Sequence, residues 1–320
     1  MSSNEIALVE LLVGFQCNNN CKFCSIDYSK RVFNKTTEEI KEDILDAKRK
    51  GAEIVGFTGG EPTIRKDIFE LVSFARKQGF RTIRIQTNGR MFANVKFTKK
   101  IIDSGANYFK FSIHGHRPEI HDYLTQVSGS FKQTIQGLKN IRAMDRTVEV
   151  NTVITKTNYK FLPQTVKFLL DLGTSRYVLI FPSILGNMYE NRKELAPRIS
   201  DVVSYVCEAL DIIEDYNLDK GVVMSIPPCF FDKKYWKFII SDLSQFKTEV
   251  KGPEFSVNLD EKMSKEKTKT PQCKYCLFDL VCPGIRYEYV DIFGFDEIKP
   301  IKGRKISSLS ELDSTSMLES

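Results

Sequence analysis

Three cysteines fall inside one short run, Cys17-Asn-Asn-Asn-Cys21-Lys-Phe-Cys24. Three thiolates this close suit three irons of a [4Fe–4S] cube and leave the fourth iron without a protein ligand, free to take another donor. A structural zinc site wants four ligands, usually as two paired knuckles, and no fourth donor stands near this loop in sequence. A second set, Cys273-x2-Cys276-x5-Cys282, lies toward the C-terminal end, with Cys229 upstream after a Pro-Pro turn. Those four thiols suit either an auxiliary iron–sulfur cluster or a tetrahedral zinc ion, because ligand count alone does not separate the two. Cys207 stands apart on a helical apolar stripe and reads as core packing.

Other polar residues stand near strand ends. In Gly59-Gly60-Glu61-Pro62 the glycines permit close backbone approach and Glu61 offers a carboxylate to an ammonium. Taken alone, the same turn reads as a helix entry started by proline. Asn88, before Gly89, is either an αL turn residue or an amide that orients a ligand. Ser112 is either a ligand contact or a strand serine satisfied by its neighbours. His114 is a candidate acid/base or substrate contact, with a satisfied core or rim histidine as the alternative. His116 and His121 read as loop and cap residues. Arg286, Tyr287 and Tyr289 follow the last cysteine and either line the cavity or sit on a surface strand.

The elements that position these groups alternate. Hydrophobic patterning gives strands over 7–15, 53–57, 82–86, 108–113, 148–154 and 177–181, with helices over 36–50, 66–78, 97–104, 131–144 and 162–172 between them. Six strands joined by helices imply a parallel sheet with right-handed crossovers, an α/β fold best described as a partial (β/α)6 TIM-like barrel. Reactive groups then belong on the loops after the strand C-termini. Beyond residue 181 come a helix over 201–213 and a strand over 222–226. A charged stretch from about 247 to 270 reads as a mobile connection or hairpin around Gly252-Pro253. The Cys-rich segment follows, then a short helix or frayed tail. The expected division is a barrel over 6–185, a connecting helix and strand over 186–228, a small Cys-rich C-terminal domain over 229–300 and a tail over 301–320.

Composition excludes several classes. With 320 residues, 42% hydrophobic and 28% charged, the chain is neither disordered nor collagenous nor a disulfide scaffold. A net charge of +6 without a basic block implies no nucleic-acid partner, though a mildly basic face suits an acidic redox protein. No run is apolar enough to span a bilayer, and the first residues lack the features of a signal peptide. Clustered cysteines fit a reducing compartment, so the expectation is a cytoplasmic protein without a membrane partner.

The cysteine loop after strand one and the Gly-Gly-Glu-Pro turn after strand two resemble the radical S-adenosylmethionine (radical SAM) superfamily, over residues 6 to 185. The resemblance implies that the amino and carboxylate groups of S-adenosylmethionine chelate the open iron. Reductive cleavage then yields methionine and a 5′-deoxyadenosyl radical that takes hydrogen from substrate. It implies ligand roles for Cys17, Cys21 and Cys24, contacts to the methionine amino group from Gly59, Gly60 and Glu61, a ribose contact from Ser112, and an orienting role for Asn88.

Ser112-Ile113-His114-Gly115, His121-Asp122 and Gly129-Ser130-Phe131 resemble the SPASM branch, which usually has Asp at the position of His114. The spacing of Cys273, Cys276 and Cys282 resembles part of the SPASM signature. A further cysteine of that signature is replaced by Arg286, which implies a shortened, Twitch-like domain. One auxiliary [4Fe–4S] cluster would then be held with Cys229, zinc being the alternative. The expected enzyme is an oxidoreductase or maturase that modifies a peptide or protein side chain. The alternative substrate is a small molecule, a cofactor precursor or an alcohol. The few residues before Ile6 leave no room for a peptide-recognition domain and pull toward that alternative. A flavodoxin or ferredoxin-type protein is the expected reductant.

Overall fold

A computed structural model of the chain describes residues 6–216, 221–243 and 247–312. Six strands form the series expected: β1 (Leu8–Leu12), β2 (Ile54–Thr58), β3 (Thr82–Thr87), β4 (Tyr108–Ser112), β5 (Val148–Val153) and β6 (Arg176–Ile180). They pair in parallel in sequence order. The helices between them are α1 (Thr37–Arg49), α2 (Ile68–Lys77), α3 (Val95–Ser104), α4 (Pro118–Thr125), α5 (Ser130–Ala143) and α6 (Leu162–Asp171). α1 starts on a capping box, in which Thr36 and Glu39 each satisfy the other's backbone N–H.

The sheet extends past the six strands at both edges. β7 (Gly221–Met224) adds in parallel to β6, and β8 (Thr248–Lys251) adds in parallel to β1. The charged stretch is therefore an ordered hairpin rather than a mobile link, with β9 (Ser256–Asn258) returning antiparallel along β8. Of the two alternatives the hairpin around Gly252-Pro253 is the one found, and its charges are paired: Lys251 and Lys50 meet Asp46 and Glu249, so these groups sit neutralised at that side of the sheet. The resulting nine-stranded order is β7-β6-β5-β4-β3-β2-β1-β8-β9. β10 (Lys267–Thr268) and β11 (Ile285–Arg286) form a separate antiparallel ladder in the Cys-rich region.

Alternation along the strands divides the barrel into two faces. Val9, Leu11, Val55, Phe57, Ile83, Ile85, Phe109 and Phe111 point outward and pack beneath helix residues such as Ile40, Ile44, Leu71 and Val72, all essentially inaccessible to solvent. The opposite face is polar. Glu10 reaches across Gly56 to Arg84, and a Cβ on Gly56 would overlap the Glu10 carboxylate. Lys110 pairs with Glu149 at 2.8 Å, and Tyr108 donates to the same carboxylate. This charged layer fills the lower barrel. One pleat repeat higher, Thr58, Gln86, Ser112 and Asn151 line a cavity at the strand C-termini. Among the described residues no helix is long and apolar enough to cross a membrane.

Candidate active site

The cysteine loop leaves β1 and lies over the C-terminal end of the barrel, where Cys17, Cys21 and Cys24 line one cavity of about 930 Å³, part of it open to solvent. Its backbone is held from several sides. Gly60 N donates to Gly14 O and Glu61 N to Gln16 O, both at 2.8 Å. Asn20 N and Lys22 N donate to the end of α4, at Thr125 O and Leu124 O. Beyond β6, Met188 N donates to Cys24 O, while the amides of Asn187 and Asn191 donate to Cys21 O and Lys22 O. Arg90 donates to Asn18 O and to Asn19 Oδ1. Arg65 binds Val13 O and Lys35 O and is fixed by two bonds to Asp67.

Buried thiols are poor acids. Burial pushes Cys17 up to about 11, with the Asn19 N–H opposing. Cys21 is raised further by burial and by the two neighbouring sulfurs, and burial raises Cys24 as well. The positive charge of Arg31 works against all three shifts.

The Gly59–Pro62 turn meets this loop at the distance glycine permits. Gly59 has φ +112°, and a Cβ on Gly60 would overlap Gln16 O and lie 2.6 Å from Phe15 C. Glu61 is 2% exposed. Its Oε1 accepts from Thr63 N, Thr63 Oγ1 and Thr87 Oγ1, and its Oε2 from Asn88 N. Burial raises its pKa against those bonds. The carboxylate therefore ties the ends of β2 and β3 together, and little of its acceptor capacity remains for a ligand. Asn88 is also a tie: its amide donates to Asn18 Oδ1 at 2.6 Å and accepts from Arg90 N at 3.0 Å.

Ser112 and His114 both line the cavity. His114 is 3% exposed, packed edge-on to Phe23 of the cysteine loop at 4.4 Å between ring centroids. Its Nδ1 accepts the Val153 N–H at 3.2 Å, so the ring proton sits on Nε2. Burial, then the adjacent His121, holds its pKa well below that of a free histidine. His114 is thus a neutral donor. His121 is not a cap residue: it lies inside α4, fully buried, where its Nδ1 accepts His114 N. His116 lies near Thr165 at the rim.

Asn151 was not singled out from sequence. It stands opposite Ser112 on β5, 6% exposed, lines the cavity, and its Oδ1 has no hydrogen-bond partner among the described residues. A buried amide left unpaired costs about 1–3 kcal/mol, which a polar ligand would recover.

The second set of thiols also converges. Cys229, Cys273, Cys276 and Cys282 line one cavity of about 410 Å³ together with Lys269. Burial, then its three companions, pushes Cys229 up to about 12. Gly284 N donates to Cys282 Sγ at 3.3 Å. Cys207 lies outside both groups. Arg286 is not brought to either cavity: it sits on β11, ion-paired with Glu266 and Glu288. Tyr289 is buried against Glu297, and Tyr287 is exposed.

Among the described residues no three His, Cys, Asp or Glu side chains are gathered around a point suited to one metal ion. The donor set, all sulfur, and the open cavity beside the first loop fit a cluster with a further ligand.

Residues 11–169 match the Radical SAM superfamily. The AdoMet-dependent heme synthase of Methanosarcina barkeri is 30% identical over 174 residues, 54% of this chain and 49% of that protein. The PqqA peptide cyclase of Bradyrhizobium diazoefficiens is 26% identical over 196 residues, 61% of this chain and 51% of that protein. The chain thus spans about half the length of these curated relatives. The fold is shared with Streptococcus suis SuiB bound to S-adenosylmethionine, at TM-score 0.67 and 15% identity over 96% of this chain and 78% of that one.

Proposed function

Because the chain belongs to the radical SAM superfamily, we propose that it cleaves S-adenosylmethionine on a [4Fe–4S] cluster held by Cys17, Cys21 and Cys24 to oxidise a peptide or protein side chain. The observation that carries this reading is the convergence of three thiols of one loop on a cavity closed by Gly59–Glu61 and by the ends of β3, β4 and β5. Bound there, cluster and S-adenosylmethionine would supply one-electron cleavage of the sulfonium and hydrogen-atom abstraction from substrate.

The chain's own residues supply placement. Gly59 and Gly60 bring backbone to the docked amino group, while Glu61 and Asn88 hold turn and loop in register. Ser112, Asn151 and the Nε2–H of His114 offer neutral hydrogen bonds to the uncharged part of the ligand. His114 serves as a donor, because its Nδ1 is occupied. Phe15, Phe23 and Ile180 keep the cavity apolar around them.

In the region 229–300, Cys229, Cys273, Cys276 and Cys282 hold an auxiliary [4Fe–4S] cluster. Four thiolates would occupy all four irons and leave none open to substrate, which suits electron transfer. Such a cluster would supply an acceptor for the electron lost by a substrate radical, whose proton would pass to solvent, completing a two-electron oxidation. A flavodoxin or ferredoxin-type protein supplies the initiating electron. Likeness to the PqqA peptide cyclase supports the peptide reading, and likeness to the AdoMet-dependent heme synthase favours a second one, a small-molecule substrate.

Anaerobic reconstitution with iron and sulfide, followed by dithionite and S-adenosylmethionine, tests the reading through formation of 5′-deoxyadenosine. Cys24→Ala is expected to abolish that product, while Cys276→Ala leaves uncoupled cleavage. Full cleavage by Cys24→Ala would show the site to be misassigned.

A further inference from the structure

Away from the barrel, fixed charge gathers at the second set of thiols. Cysteines aside, the cavity they line has two residues with a formal charge among those described, Lys269 and Asp279. Lys269 follows β10, and Asp279 stands in the loop between Cys276 and Cys282. The Lys269 ammonium donates to Asp279 O and lies 3.3 Å from Asp279 Oδ1. Lys305 takes the other carboxylate oxygen, Oδ2, at 2.7 Å. Two ammoniums therefore share one carboxylate, and one positive charge is in surplus at the cavity wall. The Lys269 side chain is 34% exposed, so water screens it only in part. Pro228, Phe278, Ile285 and Ile298 make much of the remaining wall apolar. The sulfurs sense this charge: burial raises the Cys282 thiol, while the Gly284 N–H and then the Lys269 and Lys267 ammoniums oppose it.

A four-iron cluster held by four thiolates is negatively charged, and an added electron makes it more so. A fixed cation alongside favours the reduced state, since net charge and surroundings set such potentials. We propose that Lys269 raises the reduction potential of the cluster held by the second set of thiols, and so fits it to take an electron from the substrate radical. The assignment rests on the reading above, in which Cys229, Cys273, Cys276 and Cys282 hold a [4Fe–4S] cluster, and it goes beyond it by naming the side chain that biases the direction of electron flow. The electron comes from the substrate radical, which becomes closed-shell product as its proton passes to solvent. Lys269 is a positioning residue that acts through its field on the sulfurs. Asp279 holds the ammonium at the wall and cancels part of that field.

The test is an anaerobic redox titration of the reconstituted holoprotein, followed by electron paramagnetic resonance. The signal that added S-adenosylmethionine perturbs belongs to the first loop, and the signal it leaves unchanged belongs to the second set of thiols. Lys269→Met is expected to shift the midpoint of the second signal downward and to leave the first unmoved. Lys269→Arg, which keeps the charge, is expected to hold the midpoint near that of the wild type. Asp279→Asn, which removes the opposing charge, is expected to shift it upward. Should Lys269→Met fail to take up iron, Asp279→Asn carries the comparison, with an upward shift as the supporting result. A second midpoint that is unmoved in Lys269→Met with its cluster intact, or unmoved or lowered in Asp279→Asn, overturns the role of Lys269. Wild-type protein that holds only about four irons and shows no second signal overturns the auxiliary-cluster reading itself.

Discussion

Cys17, Cys21 and Cys24 are neutral thiols before any metal arrives, because burial raises all three. Ligation requires thiolates, so loading a cluster releases protons. Iron–sulfur uptake by the apo-protein is therefore expected to rise with pH between about 7 and 9, read from the absorbance of the reconstituted cluster. A pH-independent yield would contradict the burial argument. Glu61 makes a second case at this scale. Glu61→Gln replaces an acceptor oxygen with a donor amide among Thr63, Thr87 and Asn88, leaving a buried group unmatched. A loss of about 1–3 kcal/mol in denaturant unfolding of the apo-protein is expected. The type of residue at position 61 was legible in the sequence; its commitment to protein donors was not, since Thr87 and Asn88 come from the next strand.

At the scale of elements, the site is a loop clamped by its neighbours. The glycine turn after β2 presses on the backbone of residues 14–16, and no side chain fits between them. Gly60→Ala is expected to cost about 1–3 kcal/mol and to displace the cysteine loop, measured as lower stability together with lower iron content after reconstitution. Unchanged iron content would separate the turn from the cluster site. The short helices after β6 were not foreseen from sequence, although Asn187 and Asn191 hold the loop from 166 and 169 residues away. No local pattern announces such a contact. At the second thiol set, Cys229→Ala removes one of four ligands. Its iron content is expected to fall from about eight per chain toward four, or to keep an auxiliary cluster with one exchangeable iron, resolved by metal analysis and Mössbauer spectra.

For the whole molecule, the strand side chains inside the barrel are charged below, from Glu10 to Glu149, and neutral above, where Thr58, Gln86, Ser112 and Asn151 line the cavity. Glu149 joins Lys110 and Tyr108 in the lower layer, with Arg176 Nε 3.8 Å away. Burial alone would raise its pKa, but the Lys110 ammonium and the hydrogen bonds from Lys110 and Tyr108 outweigh it and hold the carboxyl below its usual range. A depressed carboxyl contributes stability above its unfolded pKa and loses it as pH falls through the folded value. Stability is thus expected to decline on acidification below about pH 4.5, with a shallower decline in Glu149→Gln. Glu149→Ala strands Lys110 and is expected to cost about 3–5 kcal/mol at neutral pH, followed by thermal or denaturant unfolding. A loss below about 1 kcal/mol would show that water already solvates this layer.

What the sequence determined by itself was the β/α alternation of the barrel, the two sets of thiols and the turn facing the first of them. Each is written in local spacing: period two in strands, period 3.6 in helices, fixed intervals between cysteines. Tertiary structure alone decided the polar lining of the barrel, the placing of β7 beside β6 and of β8 and β9 beyond β1, the inward use of Glu61 and the orphaned amide oxygen of Asn151. Those depend on which side chains from distant strands meet at one height, and on which charges find partners. Pairing of that kind is a property of the closed sheet, and no stretch of chain carries it alone.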